Sequence, residues 1–150
     1  MKIVLSLALA AALVPTVANS ADAPEAVVKF RQSVMKSMAG DMTCLSLIAK
    51  KELPLRDAGR PAEALRAISG DLSALFPSGT GPDKVKTAAL APIWEHWSEF
   101  RDDAAKLQRE SGKLEQLARG SDAHAFEAQF KVVADACSAC HKPFRAHDTN

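Results

Sequence analysis

The chain has 150 residues, 47% hydrophobic and 25% charged, enough for one domain with a core of its own. Its 19 basic and 18 acidic residues nearly cancel. That balance gives no case for nucleic acid or an anionic membrane as partner.

The first 20 residues read as a leader rather than as part of the fold. Met1-Lys2 is a short basic start, Ile3 to Val14 is an apolar run, and Ala18-Asn19-Ser20 offers small residues for cleavage after Ser20. About twelve apolar residues are too few to span a bilayer. No later stretch is apolar enough to do so. The mature chain, 21–150, is therefore expected to be exported and free of membrane spans.

Beyond the leader there is no alternating strand pattern and no Asn-Gly hairpin signal. Helical periodicity broken by Pro and Gly dominates instead. The first helical segment is expected from Asp22–Pro24, with Asp22 as N-cap, to about Lys51, stopping before Pro54. One face reads Val28, Arg31, Met35, Met38, Met42, Leu45, Ala49, apolar except for Arg31. An arginine that interrupts such a face favours an anionic partner. Gly40, in mid-helix, marks a bend or the close approach of another backbone. Cys44 reads as a small buried apolar side chain, with an intermolecular disulfide as the alternative.

The second segment opens at Pro61 as an N1 proline, carries Leu65, Ile68, Leu72 and Leu75, and ends at Phe76-Pro77. A Gly- and Pro-rich linker then runs irregularly through Ala89. The third segment is expected from Ala91-Pro92 to about Arg119, with a stripe of Ile93, Trp97, Phe100, Ala104, Leu107, Ser111, Leu114 and Leu117, and with Gly120 as C-cap. Trp94 and Trp97 read as core and interface.

The fourth segment starts at Ser121 as N-cap, with Asp122 in its first turn, and its stripe is Phe126, Phe130, Val133, Cys137, Cys140, Phe144. Pro143 is expected to disturb its last turn. Short first and last connections make sequential helices antiparallel. The fold class is therefore all-α, an up-down-up-down four-helix bundle.

Cys137-Ser138-Ala139-Cys140-His141 gives that bundle its chemistry. C-x-x-C-H is the attachment signature of a c-type haem: two thiols add to the two vinyl groups, and the imidazole that follows ligates the iron. On a helix all three side chains share one face. A thioredoxin-like pair would want a strand-helix context, and a zinc site would want a second Cys/His cluster; this chain offers neither. One covalent haem c per chain follows, and with it export to the periplasm, because such haem is attached outside the bacterial cytoplasm. His96, His124 and His147 read as solvated side chains.

The mature chain resembles the class II c-type cytochromes, the cytochrome c prime family. The likeness rests on Phe30 to Met35 near the start, on Leu75-Phe76-Pro77 with Ile93-Trp94 in the middle, and on the C-terminal Cys137 to Arg145 segment. The resemblance implies that Arg31 lies near a haem propionate and that Arg145 flanks the proximal side. It places Met35 on the distal side of the iron, opposite His141. Members with a bulky non-ligating residue there are five-coordinate and bind NO or CO; others use a methionine as sixth ligand and carry electrons. For this chain the thioether leads to the second expectation: a non-enzymatic electron-transfer protein with His141 and Met35 as the two ligands. The alternative is a gas-binding protein in which Met35 only packs. Redox proteins or small gases are the implied partners, and homodimers through the first two helices are implied as well.

Overall fold

The computed structural model describes residues 23–146; the leader, Asp22 and His147 lie outside the described residues. Helix α1 covers Pro24–Ala49, α2 Gly59–Ser69, α3 Pro92–Glu95, α4 Trp97–Ala118 and α5 Ala123–Phe144, with short 3-10 turns at Leu55–Asp57 and Leu72–Leu75. Packing runs in a ring, α1 on α2, α2 on α4, α4 on α5 and α5 back on α1. This is the antiparallel four-helix bundle expected from the sequence.

The apolar stripes become its core. Val28, Met38, Leu45, Ile48 and Ala49 of α1, Leu65 of α2, Phe100, Leu107 and Leu114 of α4, and Phe126 and Val133 of α5 are all buried. Arg31 is buried among them at 3% exposure. In the middle of the bundle the hydroxyls of Ser69 on α2 and Ser111 on α4 meet at 2.9 Å. Arg66 C=O stands ready to accept from Ser69 and Leu107 C=O from Ser111, so whichever hydroxyl donates across the pair, both have partners.

The ends of the elements hold most of the departures from the sequence reading. Helix α1 begins with Pro24 in its first turn, but its N-cap is Ala23, with no capping side chain. It ends at Ala49 with Lys50 as C-cap, close to the expected end near Lys51 and before Pro54. Lys51 takes φ 64°, Glu52 N–H donates to Leu47 C=O, and Lys51 N–H to Ile48 C=O, which together make a Schellman closure with lysine in the place glycine usually fills. No neighbouring backbone approaches Gly40, since the space beside it is open. Cys44 is exposed, so its reading as a buried side chain is corrected. Leu45 next to it fills the core position instead.

The second segment is shorter than expected. It starts at Gly59, which makes Pro61 its third residue, and it breaks after Ser69. Gly70 and Asp71 follow, poor helix formers, and the chain tightens into the 3-10 turn before Phe76. The third segment is not continuous either. His96 leaves helical geometry, separating α3 from α4. Tertiary anchoring accounts for the break: the Trp94 indole N–H donates to Phe76 C=O at 3.2 Å and Pro77 C=O at 3.3 Å, tying α3 to the linker. Gly81 packs so close to the Trp94 ring that a β-carbon there would sit 3.3 Å from it. Trp97 is left 36% exposed, stacked on Phe100 rather than buried in the core.

Gly120 closes α4 with a bond from its N–H to Leu117 C=O and without a left-handed φ; the C-cap is Arg119. Asp122, one residue after the expected Ser121, caps α5 by accepting from His124 N–H at 3.1 Å and Ala125 N–H at 2.9 Å. Pro143 sits within the final turn of α5, and the helix runs on through Phe144. Its loss of an N–H is tolerated there because the turn is about to end. The outgoing chain is pinned to the linker, with Leu90 N–H donating to Phe144 C=O and Ala146 N–H to Ala88 C=O.

One carboxylate works against this packing. Asp41 Oδ2 on α1 is shielded from solvent with no hydrogen-bond partner among the described residues, and desolvation raises its pKa. A carboxyl whose folded pKa exceeds its unfolded value destabilises the fold above the folded pKa and ceases to do so as the pH falls below the unfolded one. Asp41→Asn is therefore expected to raise the urea midpoint at pH 7, with the gain over wild type fading in acid. Equal midpoints at pH 7 would show that the Asp41 carboxylate is hydrated.

Candidate functional site

The bundle's apolar interior divides in two. A long cluster fills the body between the helices, and a second, of Phe76, Ala89, Ile93, Phe100 and Phe144, fills one end. Met35 packs against both. Cys137 packs against the first and Cys140 against the second. The structure thus brings Met35 of α1 and the two thiols of α5 to the junction of the two clusters.

Exposure rises along the α5 stripe toward that end. Phe126 and Val133 are buried, Phe130, Cys137 and Cys140 are half-buried, His141 is exposed, and Phe144 is buried again. Burial pushes both thiols up, Cys140 to about 12, with the charge of Asp103 and the neighbouring Cys137 adding to it. Reactive thiols of redox pairs have the opposite tendency, toward thiolate at neutral pH. The His141 ring is partly desolvated despite its exposure, and this effect, with the positive charge of Arg145 second, holds its pKa below the ordinary imidazole value. No group of three His, Cys, Asp or Glu among the described residues could hold a metal ion by itself.

Arg31 reaches the same end from α1. Its guanidinium donates to Leu75 C=O at 3.3 Å, to the Thr80 hydroxyl at 3.2 Å, to Thr80 C=O at 3.3 Å and to the Thr87 hydroxyl at 2.8 Å. It lies over the Phe76 ring, 4.5 Å from the centroid. Phe76 meets Phe100 edge-on at 4.7 Å, and Phe100 meets Phe144 at 5.4 Å. Every polar partner of this cation is neutral, and desolvation lowers its pKa. A buried cation without a carboxylate suits an anionic group beside it.

Arg145 follows the last residue of α5: the helix ends at Phe144, and Arg145 is extended and paired across an isolated bridge to Ala89, with its N–H still donating to His141 C=O. It is exposed, and its charge still bears on His141. Thr80 and Thr87 are site residues that the sequence reading missed. They stand in the irregular linker, where no periodicity marks one threonine from another.

An apolar face carrying two neutral thiols and an imidazole, with a cation nearby that lacks an anion, fits a covalently attached haem. The comparisons with known proteins agree. The family profile described as Cytochrome C' matches residues 26–145. The chain belongs to the cytochrome c prime family. It is 37% identical over 123 residues to the cytochrome c' of Pararhodospirillum photometricum, covering 81% of this chain and 98% of that one. It is 34% identical over 140 residues to the cytochrome c' of Rhodospirillum rubrum, covering 93% and 94%. Among solved structures it is similar to a nitric oxide complex of a variant cytochrome c prime from Alcaligenes xylosoxidans, at 27% identity and TM-score 0.76, covering 84% of this chain and 98% of that one. Proteins of the cytochrome c prime family carry covalent c-type haem, so this chain is a haem cytochrome of class II.

The Arg31 anchor can be tested for stability. Arg31→Lys keeps the charge but loses the fork that reaches two threonines at once. It is expected to cost about 1–3 kcal/mol in urea unfolding of the haem-loaded protein. An unchanged midpoint would mean that the Thr80 and Thr87 bonds contribute nothing net.

Proposed function

We propose that this chain is an exported haem protein whose cofactor is held by thioethers to Cys137 and Cys140, with His141 as proximal ligand and a distal side closed by packing. On this reading the iron is five-coordinate, and Met35 covers its distal face as bulky apolar filler. The resident haem would supply the iron that takes a small gas such as NO or CO. The residues of the chain set access, orientation and charge.

The observation that carries this reading is the behaviour of the methionines on α1. Met35, Met38 and Met42 follow one another at helical spacing and all pack into the apolar interior. Thioethers on flexible stems are good fillers of irregular space. The nitric oxide complex of the similar cytochrome c prime supports the same choice. Arg31, buried and without a carboxylate, is the residue we assign to a propionate, fixed from behind by Thr80 and Thr87. Arg145 is assigned a role at the proximal edge, through its charge beside His141.

A second reading keeps the same tether but makes Met35 the sixth ligand of an electron carrier. One observation favours it: Met35 packs against both clusters, including the one that holds Cys140. In neither reading does the protein turn over a substrate. Dimerisation belongs to the proposal too, because Phe30 on α1 is 62% exposed, on a helix that would form the interface by resemblance.

Met35→Ala separates the two readings. With Met35 as filler, the ferric spectrum is expected to stay high-spin and CO association to speed up by roughly tenfold or more, because the distal face loses its cover. A low-spin wild type that becomes high-spin in the variant would place the thioether on the iron.

A further inference from the structure

A cleft of about 590 Å³ opens between the first turns of α1 and the linker, lined by Val28 and Val85 and rimmed by Lys29, Lys84, Lys86 and Glu25. Three cations therefore face one carboxylate, in a chain whose net charge is only +1. The cations come from two separate segments that folding brings together, so the patch is a feature of the fold rather than a run in the sequence. Lys29 and Lys86 form no ion pair among the described residues. Lys84 stands 3.5 Å from Asp83, but both side chains are more than half exposed, at 64% and 70%, and such a pair is weak.

The position of the cleft connects it to the site. Lys86 directly precedes Thr87, whose hydroxyl accepts from Arg31 and also from Ala89 N–H at 3.1 Å. Val28 in the cleft wall lies one turn before Arg31 on α1. The cleft is thus lined by residues of the same two segments, α1 and the linker, that hold the guanidinium we assign to a propionate.

We propose that this cleft docks an acidic surface of a protein that exchanges electrons with the haem. The inference rests on the haem reading above but not on the coordination of the iron. Lysines on flexible stems around a concave, partly apolar floor suit protruding Asp and Glu side chains, whose charge steers the encounter and whose carboxylates pair at the rim. A flat bilayer surface cannot enter a concavity of this kind. A small free anion would gain nothing from the apolar walls.

The test is the second-order rate at which reduced flavodoxin, an acidic electron-transfer protein, reduces the haem-loaded protein. The triple change Lys29→Glu, Lys84→Glu, Lys86→Glu is compared with Lys50→Glu, Lys106→Glu, Arg109→Glu, an equal change of net charge placed elsewhere. The cleft variant is expected to lose about tenfold at low ionic strength, with the loss closing in high salt and the control variant losing much less. The wild-type rate is expected to fall as salt rises. Equal losses in the two variants would reduce the effect to net charge and overturn the proposal. So would cleft-dependent binding to phosphatidylglycerol vesicles without an effect on flavodoxin, or an equal cleft-dependent loss in the rate at which ferricyanide oxidises the ferrous protein, which would make the cleft a membrane or small-anion site. Absence of a Soret band from the purified protein would overturn the haem reading and the docking with it, whereas the kinetic outcomes bear on docking alone.

Discussion

A guanidinium buried at 3% exposure, with only neutral acceptors around it, ties the irregular part of this fold to its regular part. Arg31 belongs to α1, yet its hydrogen bonds all go to the stretch between Leu75 and Thr87, and its face covers Phe76. Those bonds join the Trp94 indole and the Leu90–Phe144 and Ala146–Ala88 backbone bonds in holding the linker against the end of the bundle. With them, Phe76 is held against Phe100, Phe100 against Phe144, and the last turn of α5 is fixed where the haem motif ends. A buried cation is costly unless compensated. Hydroxyls, carbonyls and an aromatic face offset part of that cost; a propionate would offset the rest.

The site depends on a second constraint, the spacing of α5. One apolar stripe supplies core, through Phe126 and Val133, and on the proposed reading the cofactor face as well, through Cys137 and Cys140. The same helical repeat that buries the first pair brings the second to the open end. Desolvation pushes both thiols up there, the opposite of the tendency of reactive redox thiols. On the proposed readings, the choice between gas binding and electron transfer falls to Met35 of α1, and the fold is compatible with either.

The helices were legible in the sequence because their periodicity is strong: the stripes found by spacing reappear in the apolar interior, Trp97 apart. What escaped were features set by tertiary contacts. The break at His96 follows from the Trp94 anchor, and periodicity on either side of it gives no warning. The end of α1 near Lys51 was legible, but its left-handed closure falls on a lysine, a residue that does not advertise one. Cys44 was misread because its neighbour Leu45 holds the buried position. Arg31 was visible as the polar interruption of an apolar face, but Thr80 and Thr87, which hold it, lie where no pattern operates.

The measurement that bears most directly on the central claim is low-temperature electron paramagnetic resonance of the purified ferric protein. A five-coordinate iron with Met35 as packing predicts the axial signal of a high-spin centre. A rhombic low-spin signal, joined by the long-wavelength absorption band of a sulfur-to-iron bond, would contradict that claim and assign Met35 to the iron.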